Sequence, residues 1–394
     1  MKLRRMIIDK FRAIEHREVS FEDQLGEIRP VTVLAGPNGC GKTSVIFAIV
    51  QTLRYVMRYN TGDVPLPSDW DIRRSAGAGR LRLSPNPPTA SVVLGLEFRQ
   101  PEIEAIATVF RDVGEEDTTV RGVLGLVAPV LDVRLEWQYP PGRFGDGTNK
   151  PPNFLRSSSP YAAREMLQGR SRAISGYRDR KLSDRGLLDK IGGIFLFPQD
   201  RNLQARVLGE GNGDVRERHA AEPDEGVDTE RHGRGVEPRP IWGTLEYLSS
   251  YVRARRERED LPDAENWEKR IQDQFNAICR PKQYLGFFYE EDDPRGAPYI
   301  QDGDTIYPLS VAASGEQVIL EYVTRLNHPS PVNHSLVLID EPEVHLHPGW
   351  IRQLYRVLPE IGTGNQYIVT THSLELRSMA AEDGALIDMG ELQV

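Results

Sequence analysis

An α/β fold with a parallel or mixed sheet at its core is what this sequence predicts, and three stretches predict it. The first is Pro30-Val31-Thr32-Val33-Leu34-Ala35, a short apolar, β-branched run. It leads straight into Gly36-Pro37-Asn38-Gly39-Cys40-Gly41-Lys42-Thr43-Ser44, which fits the phosphate-loop pattern G-x-x-x-x-G-K-[ST]. The second is the buried-strand run Ser335-Leu336-Val337-Leu338-Ile339, closed by Asp340-Glu341. The third is Gln366-Tyr367-Ile368-Val369-Thr370-Thr371, which ends at His372-Ser373. Short apolar runs bounded by polar residues read as strands buried on both faces.

Composition sets the outer limits. With 394 residues the chain exceeds one typical domain, so a large core plus a subdomain or insertion is expected. Hydrophobics at 39% and charged residues at 27% are those of an ordinary globular protein. A net charge of −9 speaks against a whole-surface attraction to nucleic acid, and leaves room for a local basic patch. Cys40 and Cys279 are the only cysteines, and a disulfide at Cys40 would obstruct the phosphate loop, so a reducing compartment is expected. The opening Met1–Lys10 has neither a long apolar segment nor a cleavage site, and no run reaches the roughly 18–20 apolar residues of a membrane span. A cytoplasmic protein is the expectation, without membrane contact.

Taken in order, Leu3–Ile8 and Glu15–Phe21 read as strands that lead to the strand before the phosphate loop. The helix after the loop is expected to run to about Tyr59, before Gly62 and Val64-Pro65-Leu66-Pro67 break it. Ala90–Phe98 and Leu131–Tyr139 alternate as strands do, and form a β-rich flank. Pro140–Asn153 reads as a loop. Arg156–Arg185 carries Arg164, Arg170, Arg172, Arg178, Arg180 and Lys181. It reads as a contact with nucleic acid or an acidic partner, or as a solvated helix face, and the absence of interleaved aromatics favours the latter. Gly192–Phe197 is a buried strand ending in Pro198-Gln199-Asp200, and Leu208–Arg239 is a charged, Gly-rich loop. Ile241–Arg258 and Asp263–Ile278 have helical periodicity and are expected to pair. Tyr284–Tyr289 and Tyr299–Pro308 suggest a hairpin or two short strands. A turn at Ser314-Gly315-Glu316-Gln317 precedes an apolar helix over Val318–Leu326, and Ala385–Met389 is the last strand. The expected organisation is a phosphate-loop lobe over 1–200, a helical and loop insertion over 201–300, and the second part of the head over 301–394.

The chemistry these residues suggest is phosphoryl transfer from a bound nucleoside triphosphate. Gly36, Gly39 and Gly41 let successive backbone N–H groups face an anion, and the helix beginning near Lys42 adds its positive end. Lys42 is placed to reach the β and γ phosphates of ATP, and the Thr43 hydroxyl to hold Mg²⁺. Asp340, at the tip of a buried strand, suits the Mg²⁺ shell, while Glu341 suits a general base for the attacking water. His372 is a candidate hydrogen-bond donor to the γ phosphate, and Gln199 a candidate for the Mg²⁺ shell or the water. Glu343, His345 and His347 invite a transition-metal reading. On an extended strand, however, the same spacing puts two histidines on one face, and no further ligand pattern supports a metal.

In this order the motifs resemble an ABC-type ATPase head of the SMC, RecF and OLD-like branch. They are the phosphate loop, Ser314-Gly315-Glu316-Gln317, then Asp340-Glu341-Pro342-Glu343-Val344-His345-Leu346-His347-Pro348, and Thr370-Thr371-His372-Ser373. Phe11-Arg12 ahead of the phosphate loop resembles the same branch, which implies a nucleotide contact for Arg12. The resemblance brackets the chain from about Leu3 to Ser373 and leaves roughly residues 100 to 300 uncovered. It implies that Ser314, Gly315 and Glu316 form a signature turn capping the γ phosphate held by a second protomer, so that ATP is sandwiched in a homodimer or higher homo-oligomer. The pattern departs here, because the usual signature serine aligns with Ala313.

The sequence carries neither a long coiled coil nor a Toprim nuclease, so a stand-alone head with a partner is expected. Compact ATPases of this branch are similar to those of anti-phage systems such as Septu and PARIS. That likeness implies an ATP-dependent sensor or scaffold controlling a separate nuclease or toxin. A DNA-repair ATPase that binds DNA through its dimer is the second expectation. A small-molecule kinase or a GTPase is the third; the signature turn and Thr-Thr-His argue against a kinase, and no guanine-reading Asn-Lys-x-Asp is present.

Overall fold

Strands that are apolar at every position must bury both faces, and the chain does this with a central parallel sheet. The computed structural model of the chain describes residues 1–11, 14–58, 89–112, 130–138, 153–157, 190–199, 248–249, 252, 267–290, 293–327 and 333–390. Its central sheet consists of β3 (Val31–Ala35), β7 (Ile194–Phe197), β11 (Leu336–Asp340), β12 (Gln366–Thr371) and β13 (Leu386–Asp388). Their spatial order is β13-β3-β12-β11-β7, and every pair is parallel. The register sets Asp340 beside Thr370 and Thr371 beside Ala35, so the strands end level with one another.

Side chains alternate across this sheet with the period of two that strands impose. Leu34, Ile194, Leu196, Leu336, Leu338 and Ile368 enter one core. Val33, Phe195, Phe197, Val337, Ile339, Tyr367 and Val369 enter the other. The first core is closed by a second, antiparallel sheet of β1 (Lys2–Phe11), β2 (Ile14–Ser20), β4 (Thr89–Glu97), β5 (Val130–Gln138) and β6 (Asn153–Ser157), ordered β2-β1-β4-β5-β6. Helix α1 (Lys42–Arg58) touches strands of both sheets, and Val45, Ile46, Ile49 and Leu53 give it an apolar face for each. Helix α2 (Gln100–Asp112) adds Ile103, Ile106 and Phe110 to this core. A side chain also joins the two sheets. Gln366 accepts from the Leu3 N–H and donates to the Leu3 carbonyl, both at 2.7 Å, as a neighbouring strand would.

The second core is covered by α3 (Trp267–Ile278), α4 (Ser314–Leu326), α5 (Pro348–Val357) and α6 (Leu374–Glu382). Beside α3 lies a meander of β8 (Gln283–Glu290), β9 (Asp293–Asp302) and β10 (Thr305–Pro308), in spatial order β10-β9-β8.

The α/β class and the β-rich flank are as expected, and several local readings are corrected. The hairpin is a three-stranded meander, because Gly303, at φ 60°, turns the chain back for a third strand. The expected boundary at 300/301 falls inside β9, whose Ile300 belongs to the same core as α3 and α4. Asn153, the expected end of a loop, instead opens a strand that runs to Ser157 and takes in Arg156 at the start of the Arg-rich segment, because pairing with β5 overrides the local Pro and Gly signal. Helix α4 starts at Ser314, four residues before the expected Val318, since Glu316 caps it at Ala313. His345 and His347 are not on a strand. His345 turns at φ 72° and His347 caps α5, its Nδ1 accepting from the Gly349 N–H at 3.1 Å. Arg12, Asp200, the loop 208–239 and residues 158–185 of the Arg-rich segment lie outside the described residues, as does most of the first helix of the expected pair.

Candidate functional site

Four adjacent parallel strands deliver the candidate residues at their carboxyl ends, where open α/β sheets build their crevices. The phosphate loop follows β3, His372 follows β12, Asp340 and Glu341 end β11, and Gln199 follows β7. An open cleft of about 770 Å³ lies there, lined by Asn38, Gly39, Gly41, Lys42, Thr43, Ser44, Gln199, Glu341 and His372.

The phosphate loop owes its shape to its glycines. Gly39 and Gly41 sit at φ 81° and 95°, a region costly for residues with a Cβ. A Cβ on Gly41 would also lie 2.8 Å from Ile14 of β2, so the flank packs directly against the loop. Lys42 is 4% exposed, and its ammonium donates to the Gly36 and Pro37 carbonyls at 2.9 and 3.0 Å. Cys40 is buried behind the loop with Sγ 3.8 Å from Lys42 Nζ, and Cys40 and Cys279 are both free thiols.

The acids divide their tasks. Asp340 is buried and accepts at Oδ1 from the Thr43 hydroxyl at 3.0 Å and from the Thr370 hydroxyl. Glu341 turns into the left-handed backbone region at φ 48°, and its N–H donates to the Thr370 carbonyl and hydroxyl, both at 3.1 Å. Its carboxylate takes Gln199 Nε2 at 2.6 Å on Oε2 and lies 2.8 Å from His372 Nε2 on Oε1. His372 Nδ1 is 3.4 Å from Lys42 Nζ. Lys42, His372, Glu341 and Gln199 therefore form one continuous polar chain across the cleft.

Thr43 and Asp340 offer a hydroxyl and a carboxylate already in contact, and the Gln199 side chain adds an amide oxygen at the same end of the sheet. This all-oxygen donor set suits Mg²⁺, a hard cation that prefers oxygen. The glycine loop and the α1 N-terminus suit a phosphate chain.

Ser314, Gly315 and Glu316 do not line the cleft. Glu316 is 1% exposed and both its oxygens are engaged within the chain. Oε2 accepts from the Ala313 N–H at 2.9 Å, and Oε1 meets Lys282 and the Tyr307 hydroxyl. Burial and the neighbouring Glu316 charge push the Cys279 thiol well up. Lys282, paired with Glu316 and Asp302, is held above the usual lysine range despite some desolvation. Glu316 thus braces the turn from inside. Sequence reasoning missed Thr370, which the doublet Thr370-Thr371 before His372 could have flagged. It weighed Glu343 only as a metal ligand, although the structure turns this side chain to the His372 backbone. Among the described residues no group of three or more His, Cys, Asp or Glu side chains is arranged to hold a metal. No helix among them is long and apolar enough to cross a membrane.

A glycine phosphate loop, a carboxylate closing on its threonine and polar groups from two more strand ends define a P-loop nucleotide-binding protein of the α/β class. The family described as "AAA domain, putative AbiEii toxin, Type IV TA system" matches residues 143–378, and the chain belongs to it. Among solved structures the chain is similar to an SMC head bound to the C-winged helix domain of ScpA. That likeness is 13% identical with a TM-score of 0.48, over 96% of this chain and 92% of that one. It is also similar to the SMC head domain from Thermotoga maritima, at 14% identity and a TM-score of 0.41 over 96% and 92% of the two chains. A third is the Smc head with an extended coiled coil bound to the C-terminal domain of ScpA derived from Pyrococcus furiosus, at 14% identity and a TM-score of 0.41 over 95% and 91%.

Proposed function

We propose that the chain binds ATP with Mg²⁺ and hydrolyses it, and that nucleotide state governs its assembly with a second copy and a separate effector. The observation that carries the hydrolytic reading is the convergence of Lys42, Thr43–Asp340 and Gln199–Glu341–His372 at one sheet end. Mg²⁺, when bound, neutralises charge on the phosphates. Lys42 exchanges its carbonyl partners for phosphate oxygens, and the loop N–H groups hold the chain of phosphates in place. Glu341, buttressed by Gln199, takes a proton from the attacking water, and His372 orients the γ phosphate. Ser314 and Gly315, which do not line this cleft, are assigned to the nucleotide of a second copy.

The effector reading, a nuclease or toxin controlled in anti-phage defence, is supported by the family description, which names a toxin–antitoxin system. The test is a pair of variants. Lys42→Ala is expected to abolish the ATP-dependent thermal shift, which for ligand at a hundred times Kd is worth about 2.7 kcal/mol; retained tight binding removes the site assignment. The Glu341→Gln protein, purified from its host with ATP, is expected to carry a stoichiometric nuclease or toxin partner. DNA without a protein partner would replace this reading with a repair ATPase.

A further inference from the structure

Glu343 stands two residues beyond Glu341 and has no part in the reaction as proposed. Its Oε1 nevertheless accepts three hydrogen bonds: from the Thr371 hydroxyl at 2.7 Å, from the Ser373 N–H at 3.0 Å and from the His372 N–H. Two of these donors are backbone groups at the entry to α6, where Ser373 is the N-cap and the helix dipole favours an anion. A carboxylate gripped by three donors is stiffly placed, and what it grips is the backbone of His372.

The His372 ring spans the cleft as described, with Nδ1 toward Lys42 and Nε2 toward Glu341. An ammonium can only donate, so in the neutral ring Nδ1 accepts and Nε2 carries the proton that is donated to the carboxylate. Glu341 and Glu343 belong to the same short loop after β11. That loop therefore touches the imidazole with one acid and fixes its backbone with the other.

We propose that Glu343 is a positioning residue that sets His372 against Glu341, so that the spacing of imidazole and general base is fixed before nucleotide enters. The proposal rests on the hydrolytic reading of the cleft for its kinetic consequence, and on the geometry alone for the placement of the ring. A glutamine at 343 keeps an acceptor oxygen for the His372 and Ser373 amides, whereas an alanine keeps none.

The experiment uses the full chain as Glu343→Gln, Glu343→Ala, His372→Ala and the Glu343→Ala/His372→Ala double variant, with ATP turnover and binding of a fluorescent ATP analogue measured on each. Glu343→Ala is expected to lower kcat about 10- to 100-fold, the scale of a small misplacement in an active site, with analogue affinity changed less than about twofold. Glu343→Gln restores most of the rate. In the His372→Ala background, Glu343→Ala costs no more than about a further twofold, because coupled residues are not additive. Wild-type turnover in Glu343→Ala, or a full independent loss in the double variant, overturns the proposal. NMR of isotope-labelled histidine provides a readout independent of turnover. The His372 ring, identified by its loss in His372→Ala, shows the Nε2–H tautomer in the wild-type chain and a tautomer mixture in Glu343→Ala. An unchanged ring signal in Glu343→Ala overturns the placement. A wild-type chain that binds but never hydrolyses ATP removes the hydrolytic reading, while the ring signal still decides the placement.

Discussion

Glu341 adopts a backbone conformation, φ 48°, that costs a residue with a Cβ about 1–3 kcal/mol. The Thr370 carbonyl and hydroxyl hold its N–H there, and the result is a carboxylate turned away from the strand axis to meet Gln199 and His372. A glutamine fits the same turn and keeps the hydrogen bond to one neighbour while losing the basic oxygen. Glu341→Gln is therefore expected to leave ATP affinity within a few-fold and to lower turnover by about 10²–10⁴, the usual contribution of a general base. Steady-state rates together with analogue binding check this, and unchanged turnover removes Glu341 from the role. At the opposite end of the sheet, His334 is half-buried with its Nδ1 lacking a partner. Burial, then the nearby charges of Arg99, the N-terminal ammonium and Lys2, lower its pKa from 6.5 to about 4. The unfolded chain then binds a proton that the folded chain refuses, so stability is full above about pH 6.5 and falls as pH drops toward 4. Melting temperatures between pH 7 and 5 should fall more steeply for the wild-type chain than for His334→Asn. Asparagine tolerates the φ of 54° at this position, and identical slopes would count against the assignment.

The start of α4 shows how elements constrain one another. A Cβ on Gly315 would lie 2.6 Å from the His345 carbonyl, a backbone atom that cannot swing aside, and 3.2 Å from the Trp350 ring. The turn that opens α4 thus packs on the loop that carries Glu341 and Glu343. Gly315→Ala is expected to cost about 1–3 kcal/mol in denaturant unfolding, as overpacking does, and to lower turnover by moving that loop. Stability and turnover both unchanged would mean the contact is slack. Elements of this kind were unevenly legible in the sequence. Val31–Ala35, Leu336–Asp340 and Gln366–Thr371 stand out because a strand buried on both faces leaves an unbroken apolar run. Their spatial order does not, since nothing local makes β12 sit between β3 and β11. In the sequence Glu343 reads only as a companion of His345 and His347, because its partners lie about thirty positions along the chain, at Thr371, His372 and Ser373. Gln199, a lone glutamine after a proline, acquires meaning only once β7 is laid beside β11.

At the scale of the molecule, one parallel sheet divides two cores and carries the candidate site at its end. The antiparallel flank presses Ile14 on the phosphate loop, while the turn at the start of α4, on the helical side, is absent from the lining of the cleft. The consequence is an open site lined by the phosphate loop, Lys42, Gln199, Glu341 and His372, without the N-terminal turn of α4. A second copy arranged reciprocally would supply that turn to each cleft, a self-complementary contact of the kind twofold dimers use. Hydrolysis would dissolve such a contact, so it should accumulate only when turnover is blocked. Glu341→Gln with ATP and Mg²⁺ is therefore expected to sediment at twice the mass of the nucleotide-free chain, and wild-type protein to do so only transiently. Adding Ser314→Arg to that variant should return it to the monomer while ATP stays bound, because the bulky cation stands at the turn and not in the chain's own cleft. A Glu341→Gln protein that binds ATP yet stays monomeric would leave the nucleotide site intact and remove the second copy from its completion.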